Sequence, residues 1–381
     1  MSKSKLISIE IKGFKSFDSV GQKIFLEDLT VMIGANGSGK SNFISLIKMI
    51  SFMLANRLQY YIQRNGGAES ILHFGSKKTN QIECELVFSI ESSVDKYSFV
   101  LSYAPTDILF FENEKLSWQG NFTREEFELN SDRGKKETYL NSNENIFHKN
   151  KYISKTVSVL RDLLKNIQIY QFHDTSLEAR IRGLNRIDDT LFLRNDGGNL
   201  AAILYGLANS KLYRAYYDRI VEHIQFVFPE FQDFVLVPEK IAENSIALRW
   251  ISKNSEYVLG PHQLSDGSLR FIALTTLLLL PKDLHPAVII LDEPELGLHP
   301  RAISVLAGMV NSLKSDTQLI IATQSVNLLD EIEISDVVVV EKNAKTNSTE
   351  FKKPDINSLK EWLDEYSVGE LWLKNVLGGR P

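Results

Sequence analysis

At 381 residues the chain is long enough for two or three lobes, and its 43% hydrophobic and 24% charged residues are ordinary for a globular protein. A formal net charge of −5 excludes a chain that is basic overall, so any grip on nucleic acid must come from a local patch. The single cysteine, Cys84, excludes an internal disulfide, Met1–Lys12 has no signal-peptide core, and the longest apolar stretch, Phe271–Leu280, is about half of a bilayer span, so a cytoplasmic protein without a membrane segment is expected.

Leu6–Ile11 and Ile24–Ile33 read as strands, the first alternating and the second ending in a buried apolar run. A glycine-rich turn, Gly34–Gly39, leads into a helical pattern from Ser41 to about Gln63. Gln81–Trp118 alternates apolar and polar residues, as in an antiparallel sheet with one wet face, and places Cys84 in a strand core. The polar stretch 113–155 reads as an irregular insertion. Ile167–Phe172 looks like a short buried strand, and Ala201–Phe228 like an aromatic-rich helical region ended by Pro229. Phe234–Val237 and Ser245–Trp250 suggest further strands. Then the pattern alternates: helix Ser268–Leu280, strand Ala287–Leu291, helix Pro300–Lys314, strand Gln318–Ala322, strand Asp336–Glu341, and a helix near Ser358–Tyr366. That alternation predicts an α/β fold with a mainly parallel sheet flanked by helices. The expected organisation is an N-terminal lobe 1–170, a helical insertion 171–258, a C-terminal lobe 259–341 and a tail 342–381.

Gly34 to Ser41 spells G-x-x-x-x-G-K-S, a phosphate-binding loop. Successive backbone N–H groups and the following helix N-terminus make a nest for phosphate oxygens. Gly34, Asn36, Gly37, Ser38, Gly39, Lys40, Ser41 and the adjoining Asn42 are the candidate ATP contacts. Lys40 is placed to neutralise the β- and γ-phosphates and the Ser41 hydroxyl to bind Mg²⁺. The apolar run Val288–Leu291 then ends in Asp292 and Glu293, at the strand end where α/β folds bind ligands. Asp292 is the second candidate Mg²⁺ ligand, and Glu293 the base that orients and deprotonates the attacking water.

Leu264, Ser265, Asp266, Gly267 and Ser268 open the helix before that strand. They resemble the LSGG-type signature of ABC ATPases, with Asp266 where many members have Gly. Signature, helix, acidic strand and the turn Gly297–Pro300 look like the head domain of the SMC/RecF group. In that family the signature faces a nucleotide held by the partner's phosphate loop. The resemblance therefore implies a homodimer closed around ATP, with Ser265 and Gly267 as nucleotide contacts in trans. A plain helix cap is the alternative for Ser265. Gln324, in Ala322–Ser325, stands where ABC proteins usually carry a switch His; it can donate a hydrogen bond but cannot take up a proton at neutral pH. After Ile167–Tyr170, Gln171 and His173 both qualify for the loop that reaches Mg²⁺ and water, and a helix cap at Asp174 or Thr175 is the alternative for that segment.

Together these motifs resemble the RecF-like ATPases related to the overcoming-lysogenization-defect (OLD) family, from the opening Ile9–Phe17 to the tail Trp362–Trp372 and Leu377–Pro381. About ninety residues separate Gln171 from Leu264, where an SMC protein inserts a long coiled coil, and no Toprim nuclease follows the tail. The resemblance implies an ATP-hydrolysing switch that acts on DNA or on a separately encoded effector, a Toprim-type nuclease being the expected one, in bacterial anti-phage defence. A subunit of an ABC transporter, a RecF-type repair ATPase and a non-hydrolysing clamp are the competing readings. Lys149, Lys151, Lys155 and Arg161, or Arg180, Arg182 and Arg186, are the candidate DNA contacts. Trp362, Leu363 and Tyr366 share a helical face that either docks a partner or packs back on its own domain.

Overall fold

The computed structural model describes residues 4–90, 93–120, 124–129, 134–141, 151–253 and 255–379. In chain order the strands are β1 (Lys5–Lys12), β2 (Gln22–Phe25), β3 (Leu29–Ile33), β4 (Gln81–Ile90), β5 (Ser93–Ala104), β6 (Ile108–Gln119), β7 (Arg124–Glu128) and β8 (Ile167–Tyr170). They continue as β9 (Asn185–Arg186), β10 (Phe231–Phe234), β11 (Ser245–Ile246), β12 (Trp250–Ser252), β13 (Val258–Leu259), β14 (Val288–Asp292), β15 (Gln318–Thr323), β16 (Val337–Lys342) and β17 (Thr349–Lys352). The helices are α1 (Lys40–Leu54), α2 (Leu58–Arg64), α3 (Ala68–Ile71), α4 (Lys151–Lys165), α5 (Leu200–Asn209) and α6 (Arg214–Val227). After them come α7 (Asp266–Leu278), α8 (Pro300–Leu313), α9 (Val326–Leu329), α10 (Ile356–Leu363) and α11 (Val368–Leu373). The chain divides into two compact units: Met1–Gln168 with Ser335–Lys360 and Lys374–Pro381, and Ile169–Ile334 with Glu361–Leu373.

In the first unit, β2-β1-β4-β5-β6-β7 form an antiparallel sheet. Its inward row runs Ile11, Cys84, Phe99 and Glu114 across paired strands, all of them buried. Alternation was the right signal here, since Gln81, Glu83 and Glu85 fall on the other face. Glu114 is fully buried, and an unpaired carboxylate there would be costly. Its oxygens accept from Tyr97 Oη at 2.7 Å, from the Tyr139 amide at 2.8 Å and from Thr138, so the charge staples residues 138–139 to the sheet. Burial nonetheless pushes its carboxyl above the usual range. The parallel part of this unit is β3 beside β16, with β17 antiparallel on the far side of β16.

Several expectations give way. Ile24–Ile33 is two strands: the pattern breaks at Leu26–Asp28, where Asp28 pairs with Lys5 at 2.8 Å, and β2 and β3 enter different sheets. The long first helix stops at Leu54 because Asn56 takes a left-handed conformation (φ 55°), which Asn tolerates better than most residues, and α2 starts afresh. The stretch 113–155 is less irregular than its composition suggests: β6 runs to Gln119, β7 pairs with it, and α4 begins at Lys151. Ala201–Phe228 is two helices parted at Ser210–Tyr213.

In the second unit, β14 and β15 pair in parallel, with Asp292 opposite Ala322. Helix α7 is buried along nearly its whole length, from Leu269 through Leu278, which explains an apolar run without periodicity. Among the described residues no helix is long and apolar enough to cross a membrane. Helices α5, α6 and α8 pack with it, and β10-β12-β13 form a small antiparallel sheet behind an aromatic cluster of Phe228, Phe231, Phe234 and Trp250. The tail packs back: α11 lies on α9, Leu371 is fully buried and Trp372 nearly so, and the Gly369 amide donates to Asp330 at 2.9 Å. Trp362 remains 43% exposed, its ring 5.8 Å from that of Tyr366.

Candidate active site

The first unit carries the phosphate loop. All five residues of β3 are buried, so the loop starts from a rigid edge. Gly39 has φ 123°, and a Cβ there would lie 2.0 Å from Thr349 Oγ1, so both conformation and space demand glycine. Thr349 Oγ1 in turn sits 2.8 Å from Ser38 O and 2.7 Å from Ser16 Oγ, while Asn42 Nδ2 donates to Ser16 Oγ at 2.7 Å. Lys40 Nζ folds over the start of its own loop, donating to Gly34 O and, at 3.1 Å, to Ala35 O. The Ala35 amide donates to Gly379 O at 3.0 Å, so the chain's last described residue closes onto the loop.

Two features of this loop suit a bound phosphate. Helix α1 has no side-chain cap on its N-terminus, leaving first-turn N–H groups for an anion, and Ser38 Oγ is buried with no hydrogen-bond partner. Asn36, Gly37 and Ser41 are exposed. Beside Asn42 opens a cleft of about 570 Å³, lined by Lys15, Ser16, His73, Lys342 and Asn347 among others, a size in the range of ligand pockets. Burial, with Lys48 nearby, holds the Lys15 amine below its usual value. Sequence reasoning missed Ser16, Lys15, His73 and Thr349. Lys15 and Ser16 follow β1 within the opening Ile9–Phe17 segment, but nothing local marks Thr349.

The second unit carries the carboxylates. Glu293 leaves β14 with φ 45°, a left-handed conformation that costs a residue with a side chain about 1–3 kcal/mol. It is fixed by its amide donating to Ala322 O at 2.8 Å and by its carbonyl accepting from Leu296. Gln324 Nε2 donates to the Glu293 carboxylate. The structure parts the two candidates of the Tyr170–Ser176 loop: Gln171 Nε2 donates to Asp292 Oδ2, whereas His173 Nε2 meets the Asp292 backbone carbonyl at 2.9 Å. Each site carboxylate is thus held by a glutamine from a different segment.

Two further residues organise this end, and the sequence did not point to them. Arg270, near the start of α7, donates to Phe172 O, His173 O and Leu296 O at 2.9–3.1 Å, tying the Gln171 segment and the turn after β14 to one helix. A lone arginine in an apolar helix was the available signal. Glu295 Oε1 accepts from Thr323 Oγ1 and, at 3.4 Å, from the Gln324 amide; its Oε2 is shut off from solvent with no partner. Burial pushes this carboxyl up, with a smaller push from the Glu293 charge.

Ser265 is the N-cap of α7: its Oγ accepts from the Ser268 amide at 3.1 Å and lies 2.8 Å from Ser268 Oγ, and the residue is exposed. The capping role is therefore present on a residue that solvent can reach. A Cβ on Gly267 would lie 2.5 Å from Gly297 O, so this glycine is required by close approach. In the second basic cluster Arg182 is not a surface residue, whereas Arg180 and Arg186 are exposed. Arg182 is buried, and four of its five N–H groups are spent on Thr175 O, Pro261 O, Leu264 O and Asp266, so it is not presented to a DNA phosphate. Arg180 pairs with Asp196 and Arg186 with Asp188. In the first cluster Lys155 is exposed and Arg161 half-buried, while Lys149 and the Lys151 side chain lie outside the described residues.

A family model described as "AAA domain, putative AbiEii toxin, Type IV TA system" matches residues 29–330. The energy-coupling factor transporter ATP-binding protein EcfA2 of Ligilactobacillus salivarius (strain UCC118) is 29% identical over 134 residues, 35% of this chain and 39% of that protein. The chromosome partition protein Smc of Clostridium kluyveri (strain NBRC 12016) is 30% identical over 98 residues, 26% of this chain and 8% of that one. The aligned stretches thus span well under half of either relative. Among solved structures, the Smc head bound to the C-winged helix domain of ScpA has a TM-score of 0.58 at 15% identity, covering 93% of this chain and 99% of that one. The Smc head with an extended coiled coil bound to the C-terminal domain of ScpA, from Pyrococcus furiosus, gives 0.56 at 16%, covering 95% and 99%. At such identities the likeness is one of fold, that of an SMC-like ABC-type ATPase head.

Proposed function

Since the chain belongs to this AAA-domain family, we propose that it binds ATP with Mg²⁺, hydrolyses it, and works as a homodimer closed around the nucleotide. The observation that carries the reading is the pairing of Gln171 with Asp292 and of Gln324 with Glu293 at one strand end. Mg²⁺ would supply charge neutralisation on the phosphates, with Ser41 and Asp292 as its protein ligands. The N–H groups of Gly37, Gly39, Lys40 and Ser41 grip phosphate oxygens, helped by Asn36, Ser38 and Asn42, and the cleft beside Asn42 takes the nucleoside. The Glu293 carboxylate orients a water, accepts its proton as the oxygen attacks the γ-phosphorus, and ADP leaves with its oxygen. Gln324 orients the Glu293 carboxylate and supplies a donor to the γ-phosphate. Ser265 and Gly267 act from the partner subunit.

Beyond hydrolysis, we assign the chain to the OLD-like branch, as a switch in anti-phage defence that controls DNA or a separate effector of the Toprim nuclease kind. Supporting this are the motif set from Ile9 to Leu377 and a family description that names a toxin–antitoxin system. The likeness to EcfA2 favours the transporter-subunit reading as the second choice, carried by that aligned stretch alone. The direct test is Glu293→Gln in single-turnover and steady-state assays. ATP binding should persist while turnover falls at least about a hundredfold, the usual cost of losing a general base. Near-normal turnover would remove Glu293 from the mechanism.

A further inference from the structure

Asp266 stands where the related signature has Gly, and Arg182 is an arginine only 6% exposed. Arginine is almost never buried unless paired, and these two oddities are each other's explanation. The Arg182 guanidinium donates through Nε to Thr175 O at 2.8 Å, through Nη1 to Leu264 O at 3.2 Å and to Pro261 O, and through Nη2 to Asp266 Oδ1 at 2.9 Å. Its planar fork thus fixes four acceptors from two stretches of chain, a geometry lysine cannot copy. The acceptors bracket Ser265: Leu264 before it, Asp266 after it. Gly267 comes close enough to Gly297 O that an added Cβ would lie 2.5 Å from it.

We propose that Arg182 and Asp266 form a latch that positions the Leu264–Ser268 loop, making Arg182 a positioning residue for Ser265 and Asp266 a required member of this chain's signature. This rests on the reading of that loop as the one that closes an ATP-bridged dimer. The Asp266 side chain is 65% exposed, so as a surface ion pair the contact would be worth little. Its value lies at the other end, where a buried guanidinium loses the carboxylate that balances it. The competing account treats Asp266 as an ordinary acidic residue in the first turn of α7, favoured by the helix dipole and independent of Arg182.

The two accounts separate on Asp266→Gly, which restores the commoner signature. With the latch, nucleotide binding by the phosphate loop, followed with a fluorescent ATP analogue, stays within about twofold. ATP-dependent dimerisation weakens, and kcat falls about tenfold at unchanged KM, the scale of a lost hydrogen bond to a charged group. Asp266→Asn, which keeps an acceptor oxygen, should recover most of that loss. In an Arg182→Met background Asp266→Gly should add nothing further. Wild-type or faster turnover by Asp266→Gly, or effects of the two substitutions that multiply, would overturn the latch. If Arg182→Met does not fold, the contrast between Asp266→Gly and Asp266→Asn decides alone: equal effects overturn it. A wild-type chain that neither hydrolyses ATP nor dimerises with it overturns the dimer reading and the latch together.

Discussion

The phosphate loop and the carboxylate end of β14 are held in opposite ways. The loop is fixed by backbone and hydroxyls: Thr349 against Ser38 and Ser16, Ser16 against Asn42, and Gly379 O on the Ala35 amide. Its one charged side chain, Lys40, bonds to the loop's own carbonyls. The carboxylate end is fixed by side chains reaching in from distant segments, Gln171, Gln324, Thr323 and Arg270. The difference follows from what each part must hold. A nest for phosphate needs a rigid ring of N–H groups, which only backbone shape provides. Two neighbouring carboxylates need neutral donors that orient them and soften their mutual repulsion.

The most severe way to break this contrast is to cut the tail. A chain ended at Glu370 loses Leu371 and Trp372 from the second unit and Gly379 from the loop. From its sequence the tail is equally suited to dock a partner, in which case removing Leu371–Pro381 would spare ATP hydrolysis. The packing overturns that: deleting one large buried side chain costs about 3–5 kcal/mol, enough to lower the unfolding midpoint by many degrees or abolish folding. A chain ended at Lys374 keeps α11 and loses the Gly379 contact. It should unfold near the wild-type temperature yet bind ATP more weakly, as read by calorimetry and nucleotide titration. Unchanged nucleotide affinity would show that the loop holds itself.

Next in size is Gly39→Ala. The added Cβ meets Thr349 Oγ1 in a backbone conformation closed to alanine, so the loop must shift. ATP affinity should fall by about fivefold to a hundredfold, given roughly 1–3 kcal/mol of strain, with a smaller effect on thermal stability. A matching loss of stability at full affinity would place the glycine's role in folding.

This contrast also explains how far the sequence could be read. The phosphate loop, Asp292 and Glu293 were legible because each is a contiguous string whose chemistry is carried by neighbours. So were the alternating strands β4 to β6, where one face is wet. Thr349, Arg270, Glu295 and the Gly379 closure were not, since each acts on a residue far off in sequence. Arg182 was misassigned for the same reason: a charge counted along the chain looks like surface until its acceptors are known. Helix breaks such as Asn56 were missed because one left-handed residue ends a helix without disturbing its apolar rhythm.

The smallest expected effect concerns Glu295, and it separates orientation from chemistry within the carboxylate end. Its carboxyl is raised by burial from the ordinary value of 4.5, so the folded protein holds a proton there more readily than the unfolded chain. The associated stability is fully present below 4.5 and is lost as pH rises through the raised value. Glu295→Gln removes that titration while keeping an oxygen for Thr323 Oγ1 and the Gln324 amide. In this variant the unfolding midpoint should decline less than the wild type's across that window, and the two curves should run parallel above it. Because Glu295 acts on the backbone that carries Gln324, turnover should change by no more than about threefold, a small part of what general-base loss costs. Identical pH slopes would mean that the Glu295 carboxyl titrates alike in both states. A loss of turnover as deep as that of Glu293→Gln would move Glu295 from holding the site to performing its chemistry.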